Sequence, residues 1–191
     1  MGFTIFTGGA RSGKSALGLQ AAAATGSPVV FIATAEALDD EMMRRIGLHK
    51  AERPASWSTI EEPVDLLRAL ADAGDDACVV LDCLSLWVSN LLFAGVPEAD
   101  VEARAAAVAD RMASRTGAGV VVTNEVGSGI VPDNALARTY RDVLGRVNAV
   151  FASRADHAFL AVMGRVLALD RLEKHLEDHL EDHPVRSSHH A

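Results

Sequence analysis

Along this chain, short apolar runs rich in β-branched residues alternate with longer stretches in which alanine and leucine recur among charged positions. The short runs fall at 3–7, 29–33, 77–82, 120–123 and 157–163. Several are apolar at every position rather than at every second one, which suits parallel strands covered by helices on both faces. Between them the pattern predicts helices over 14–24, 38–50, 63–72, 84–93, 98–115 and 134–154. Pro63 near the start of the third helix and Gly74 after its end agree with the residue preferences of helix termini. Alternation of this kind predicts an α/β fold built on a mainly parallel sheet flanked by helices. A chain of 191 residues is long enough for one well-buried core and short for two, so a single domain over 1–169 is expected.

From Asp170 the pattern changes. Leu-Glu-Lys-His-Leu-Glu-Asp-His-Leu-Glu-Asp-His, starting at Leu172, is a four-residue near-repeat that places His175, His179 and His183 on one stripe of a charged helix. Such spacing suits a metal, but no thiolate or second shell accompanies it. Residues 170–191 therefore read as a solvated tail, helical and then disordered.

Charge and composition narrow the function classes. Hydrophobic residues make up 49% of the chain and charged ones 23%, the profile of an ordinary globular protein. The net charge of -8 argues against nucleic-acid binding, which needs a basic face. The longest apolar stretches, such as 79–81 and 117–122, fall far below the roughly 18–20 residues of a membrane span. No basic segment followed by an apolar stretch and a cleavage site stands at the start, and a cytoplasmic location is expected. Cys78 and Cys83, the two cysteines, fit neither a zinc knuckle nor a disulfide framework and read as buried thiols.

The strongest chemical signal is Gly8-Gly9-Ala10-Arg11-Ser12-Gly13-Lys14-Ser15. It matches the P-loop pattern, and it lies between a predicted strand and a predicted helix as that motif requires. Glycines let backbone N–H groups turn toward phosphate oxygens, and the helix N-terminus adds favourable partial charge. Lys14 is expected to reach the β- and γ-phosphates of ATP or GTP, and the Ser15 hydroxyl to coordinate Mg²⁺. Asp82, ending the run 77–82, is the candidate carboxylate that orients the metal; an Asp capping the following helix has the same sequence appearance. The Asn-Lys-x-Asp tetrapeptide of signalling GTPases is absent, and Thr123-Asn124-Glu125 does not complete it. A large mechanical ATPase would need more chain. A compact P-loop enzyme acting on a small molecule remains.

A second chemistry gathers around His49. Asp39-Asp40-Glu41-Met42-Met43-Arg44-Arg45-Ile46-Gly47-Leu48-His49-Lys50-Ala51-Glu52-Arg53-Pro54 sets acids first, then a histidine among cations, then a helix-stopping proline. Arg44, Arg45, Lys50 and Arg53 suit a triphosphate, and neighbouring cations lower a histidine's pKa, keeping His49 neutral and able to attack phosphorus. By spacing alone, a solvated helix face of mixed charge is the favoured reading of the segment.

The blocks taken together resemble one family. They are the phosphate loop, Phe31-Ile-Ala-Thr34, Asp39-Asp-Glu-Met42, Arg45-Ile46 with His49-Lys50 and Arg53-Pro54, and Trp57. Asn90-Leu-Leu-Phe93, Thr123-Asn-Glu-Val-Gly127, Gly129-Ile-Val-Pro132, Asn134 with Leu136-Ala-Arg138, Arg141-Asp142 and Gly145-Arg-Val-Asn148 complete the set. The chain thus resembles, over residues 3–169, the bifunctional adenosylcobinamide kinase / adenosylcobinamide-phosphate guanylyltransferases of cobalamin biosynthesis. The resemblance implies a recombinase-like P-loop fold, a homotrimer with active sites near subunit borders, and two reactions. The first phosphorylates the aminopropanol hydroxyl of adenosylcobinamide with ATP or GTP. The second moves GMP from GTP through a guanylylated histidine, which maps to His49, onto the cobinamide phosphate. The family's nucleotide contacts map to Gly8 through Ser15, to Ala33, Thr34 and Ala35, to Lys50, Ala51, Glu52 and Arg53, and to Glu61 and Asp82.

A carboxylate at Glu61, just after a short strand ending at Thr59-Ile60, suits guanine N1 and N2 or a ribose hydroxyl, though it equally reads as an acid before the helix that Pro63 opens. The Gly127-Ser128-Gly129 turn after Asn124 and Glu125 either closes over the corrinoid arm or merely links strand to helix. Arg138, Arg141 and Arg146 either meet phosphates or a neighbouring subunit or form an exposed basic stripe. Relatives often place Gln after the asparagine of the last block, where this chain has Ala149.

Overall fold

The computed structural model describes residues 2–37 and 39–171. The histidine-bearing stretch from Leu172 onward lies outside the described residues. In chain order the elements are β1 (Phe3–Thr7), α1 (Lys14–Ala24), β2 (Val29–Ala33), α2 (Asp40–Ala51), β3 (Ser58–Glu61), α3 (Leu66–Asp72) and β4 (Cys78–Asp82). They continue with α4 (Leu84–Phe93), α5 (Glu98–Ala113), β5 (Gly119–Val122), α6 (Ala135–Arg154), β6 (His157–Val162) and β7 (Arg165–Ala168). The strands form one sheet in the order β3-β2-β4-β5-β1-β6-β7. Every pair is parallel except β6 with β7. The mainly parallel α/β architecture expected from the alternation is therefore the one observed.

Uninterrupted apolar strands follow from coverage on both faces. Along β4, Val79 and Leu81 join the cluster built by α3–α6, with Leu70, Trp87, Leu91, Met112, Leu144 and Phe151. Cys78 and Val80 point the other way, into the cluster that α1 closes with Ala22, Phe6, Phe31 and Val120. Each such side chain removed from water is worth about 1.5–3 kcal/mol, so the strands in the middle of the sheet are its most firmly held part. Phe3 of β1 meets Phe151 of α6 edge-on, with ring centroids 6.1 Å apart.

Helix boundaries follow their caps. Asp39, Asp65 and Asn134 accept from the backbone N–H groups of Met42, Arg68 and Ala137, starting α2, α3 and α6. Pro63 therefore lies ahead of α3 rather than within it: Glu62 accepts from the N–H groups of Val64 and Asp65 and shapes a turn first.

β7 has no counterpart among the runs read from sequence. All four of its residues are exposed, so no alternation marks it. Its signal is local instead: Met163 and Gly164 both adopt positive φ, 52° and 73°, the two-residue turn that joins antiparallel strands. Arg171 donates to the carbonyls of Ser153 and Ala155, tying the chain there to the end of α6.

Candidate functional site

In open parallel sheets the loops at the carboxyl ends of the strands form the ligand crevice. Five such ends gather here: the P-loop after β1, Ala33-Thr34-Ala35 after β2, Glu61 at the end of β3, Asp82 at the end of β4, and Asn124-Glu125 after β5.

The P-loop is shaped for an anion. Gly13 is the N-cap of α1 and offers no side-chain cap, and the first turn carries no acid. The leading N–H groups of α1 are thus left to a ligand, unlike those of α2, α3 and α6. A Cβ on Gly8 would lie 2.4 Å from the carbonyl oxygen of Ala161, so only glycine lets the loop pass this close to β6. From the hairpin beyond, Gly164 N–H donates to Ser12 O at 2.8 Å. Ser12 Oγ is enclosed without a hydrogen-bond partner among the described residues. Lys14 Nζ reaches back to Gly9 O at 3.1 Å, across the loop. Burial lowers the Lys14 pKa, with Arg45 pulling the same way and Asp82 opposing.

Asp82 is the hub. The Ser15 hydroxyl lies beside its carboxylate, and the charges of His49, Lys14 and Arg53 all act on it. Desolvation nevertheless outweighs these and raises its pKa. Hard oxygen donors, one hydroxyl and one buried carboxylate, are the set that a phosphate-bound Mg²⁺ takes from a protein. The residues present therefore fit that ion. The backbone of Cys83, just after Asp82, is held at both ends: Thr34 Oγ1 accepts from Cys83 N–H at 2.9 Å and donates to Cys83 O at 2.8 Å. Burial pushes the Cys83 thiol up to about 11, so it stays protonated, as its reading as a buried thiol anticipated.

His49 lies in the last turn of α2, its side chain 38% exposed, with Nδ1 3.6 Å from Glu52 Oε2. That is ion-pair range rather than a hydrogen bond. An acid thus faces Nδ1, where the sequence drew attention to cations. Arg45 stands one helical turn before His49, on the same face.

Lys50 pairs with Glu61, tying α2 to β3. The Arg53 guanidinium lies 3.5 Å from the centroid of the Phe31 ring and donates to Thr59 Oγ1. Around them opens a groove of ≈ 420 Å³ lined by Lys50, Arg53, Pro54, Ala55, Trp57, Thr59 and Glu61. Its aromatic and acidic lining suits a purine. Phe31 belongs to one of the sequence blocks and Thr59 to a short strand, but nothing in the sequence marks either as a support for Arg53. Asn90 holds the two neighbouring loops, donating to Thr34 O and Pro63 O.

The three arginines of α6 named from the sequence are engaged within the chain. Arg138 donates to the carbonyls of Pro132 and Asp133, Arg141 pairs with Asp142, and Arg146 bridges Glu98 and Glu102 of α5. None of these contacts involves the P-loop.

A phosphate cradle after β1, a first-turn hydroxyl beside the carboxylate that ends β4, and ligand loops at one sheet edge define a P-loop nucleotide-binding protein. A solved structure described as a prototypical ATPase from the type III secretion system of pathogenic bacteria shares this fold, with a TM-score of 0.51 and 14% identity over 93% of this chain and 53% of that one. Residues 4–169 match the cobinamide kinase / cobinamide phosphate guanyltransferase (CobU) family model. The bifunctional adenosylcobalamin biosynthesis protein CobU of Salmonella typhimurium is 45% identical, over 84% of this chain and 95% of that protein. The corresponding CobP of Pseudomonas aeruginosa is 41% identical, over 86% and 95%. The chain belongs to the cobinamide kinase / cobinamide phosphate guanyltransferase family, a family of bifunctional transferases.

Proposed function

We propose that one chamber at the carboxyl edge of the sheet serves both reactions of the family. In the first, the aminopropanol hydroxyl of adenosylcobinamide attacks the γ-phosphorus of ATP or GTP, forming the phosphate ester and releasing the nucleoside diphosphate. In the second, His49 Nε2 attacks the α-phosphorus of GTP; an N–P bond forms and pyrophosphate leaves. The cobinamide phosphate then takes the GMP from His49, giving adenosylcobinamide-GDP and free histidine. Splitting one displacement into two conserves the activation of the nucleotide between steps.

The observation that supports a shared chamber is the convergence of Lys14 and His49 on Asp82. In this reading Lys14 and the backbone N–H groups of Gly8 through Ser15 bind and orient the phosphates, supplying charge where it develops. Ser15 and Asp82 would hold Mg²⁺, which neutralises phosphate charge when bound. Ala33, Thr34 and Ala35 line the nucleotide's path. Glu61 accepts from guanine N1 and N2 in the groove beside Lys50, Ala51, Glu52 and Arg53. The protein works as a homotrimer; exposed Ile130 and Met163, at 97% and 87%, are the kind of apolar surface that subunits cover. A cytoplasmic setting accords with the use of nucleoside triphosphates and with the free thiols of Cys78 and Cys83.

GTP labelled at the α-phosphorus tests the reading. An acid-labile, base-stable label on the protein that is lost in His49→Ala is expected, while that variant keeps its kinase activity. Lys14→Ala should lose kinase turnover by about 10²–10³-fold. A wild-type protein that takes up no label refutes the covalent step.

A further inference from the structure

The cradle is joined to the loop after β5 through a single peptide group. Glu125 N–H donates to Gly8 O, the first carbonyl of the P-loop, at 3.1 Å. The carbonyl of that same peptide unit, Asn124 O, accepts from Asn148 Nδ2 at 2.9 Å. Asn148 sits on α6 next to the fully buried Val147, and its Oδ1 accepts from the hydroxyl of buried Thr123 at 2.7 Å. The orientation of this amide is settled by chemistry: Asn124 O can only accept, so Nδ2 must face it.

A peptide unit is planar and stiff. Holding its carbonyl therefore fixes the direction of its N–H, and a run of such bonds strengthens each member. Gly8 has no slack on its other side, since even a Cβ would collide with Ala161 O. The same loop residue is tied forward as well: Asn124 Nδ2 donates to Ser85 Oγ at 2.9 Å, and Ser85 Oγ lies 2.9 Å from Cys83 Sγ, next to Asp82. Tyr140 of α6 adds a bond to Ser85 O.

We propose that Asn148 is a positioning residue for phosphoryl transfer, aligning Gly8 through the 124–125 peptide without touching the nucleotide. The inference goes beyond the assignment of the cradle itself, and it rests on the kinase reading only for its kinetic arm. Phosphoryl transfer depends chiefly on placement, so a small displacement of the loop lowers turnover more than it weakens binding.

The test uses Asn148→Ala, and Asn148→Asp, which keeps an acceptor for Thr123 but has no donor for Asn124 O when ionised. For each full-length variant, kcat and KM for ATP are measured, with kcat counted per titrated nucleotide-binding site so that unfolded protein does not mimic slow chemistry. Hydrogen exchange at the Glu125 amide is read in parallel. Both variants are expected to lose about tenfold to a hundredfold in kcat, with KM for ATP within about threefold. The Glu125 amide should exchange at least about tenfold faster. Wild-type kcat in either variant, a loss confined to KM, or unchanged exchange at Glu125 overturns the proposal. A wild-type protein that binds ATP but never turns over refutes the kinase reading instead, and the exchange measurement still decides the clamp.

Discussion

At Asp82, burial opposes ionisation more strongly than Ser15, His49, Lys14 and Arg53 together favour it, so the pKa is raised. A carboxyl with a raised native pKa binds protons more readily when folded than when unfolded. Stability from this group is therefore fully present below the unfolded pKa and lost as pH rises through the native pKa. The ionised carboxylate is a liability to the nucleotide-free protein and an asset once a cation and phosphates arrive. Asp82→Asn should accordingly melt higher than wild type without nucleotide at pH 7, by about 2–4 °C for each ~1 kcal/mol relieved. It should also lose most of the stabilisation that Mg²⁺ with ATP gives the wild type. A lower melting point without ligand would show that the four partners, not desolvation, dominate.

At the level of elements, the start of β4 depends on a side chain the sequence does not advertise. Arg115 follows α5 in a segment, Ser114-Arg115-Thr116-Gly117, that reads as a polar turn, yet it is fully buried. Its guanidinium donates to Gly74 O at 2.6 Å, Ala77 O at 2.7 Å and Leu70 O at 3.4 Å, closing the end of α3 and the entry to β4. Arg115→Ala strands those carbonyls in the interior and should cost about 2–4 kcal/mol in chemical denaturation. Arg115→Lys should recover only part of this, because one ammonium cannot match the planar fork. The opposite case is α2. No residue of α2 is buried, and it is held through Lys50 to Glu61 and, just beyond its end, through Arg53 to Phe31 and Thr59. The helix bearing the candidate nucleophile is thus fastened by polar contacts at its carboxyl end, which is why apolar periodicity says little about where it packs.

On the scale of the whole molecule, large apolar side chains stand exposed at several places: Met163 at the β6–β7 turn, Leu167 in β7, Ile130 and Val131 ahead of α6, Leu48 in α2 and Phe93 at the end of α4. The homotrimer proposed above predicts a sedimentation mass of three times the 20.2 kDa chain. A mass of one chain at micromolar concentration would remove the trimer from the reading while leaving both transfer reactions intact.

The sequence by itself determined the strands covered on both faces, because helices on each side leave no polar positions to disguise them. It also determined the phosphate cradle, because glycine, lysine and serine at that spacing between strand and helix have a local physical meaning. The place of His49 was legible as a motif, but its surroundings were not: the segment offers cations along the chain, while the helix turns Glu52 toward its Nδ1 and the fold brings Asp82 within its field. Only the tertiary structure revealed Arg53 against Phe31, Arg115 beneath α3, and the exposed edge strand β7, which has no buried face to impose a pattern. It alone joined Asn148 to Gly8, residues from opposite ends of the chain, since hydrogen bonds between elements leave no periodicity in the sequence that makes them.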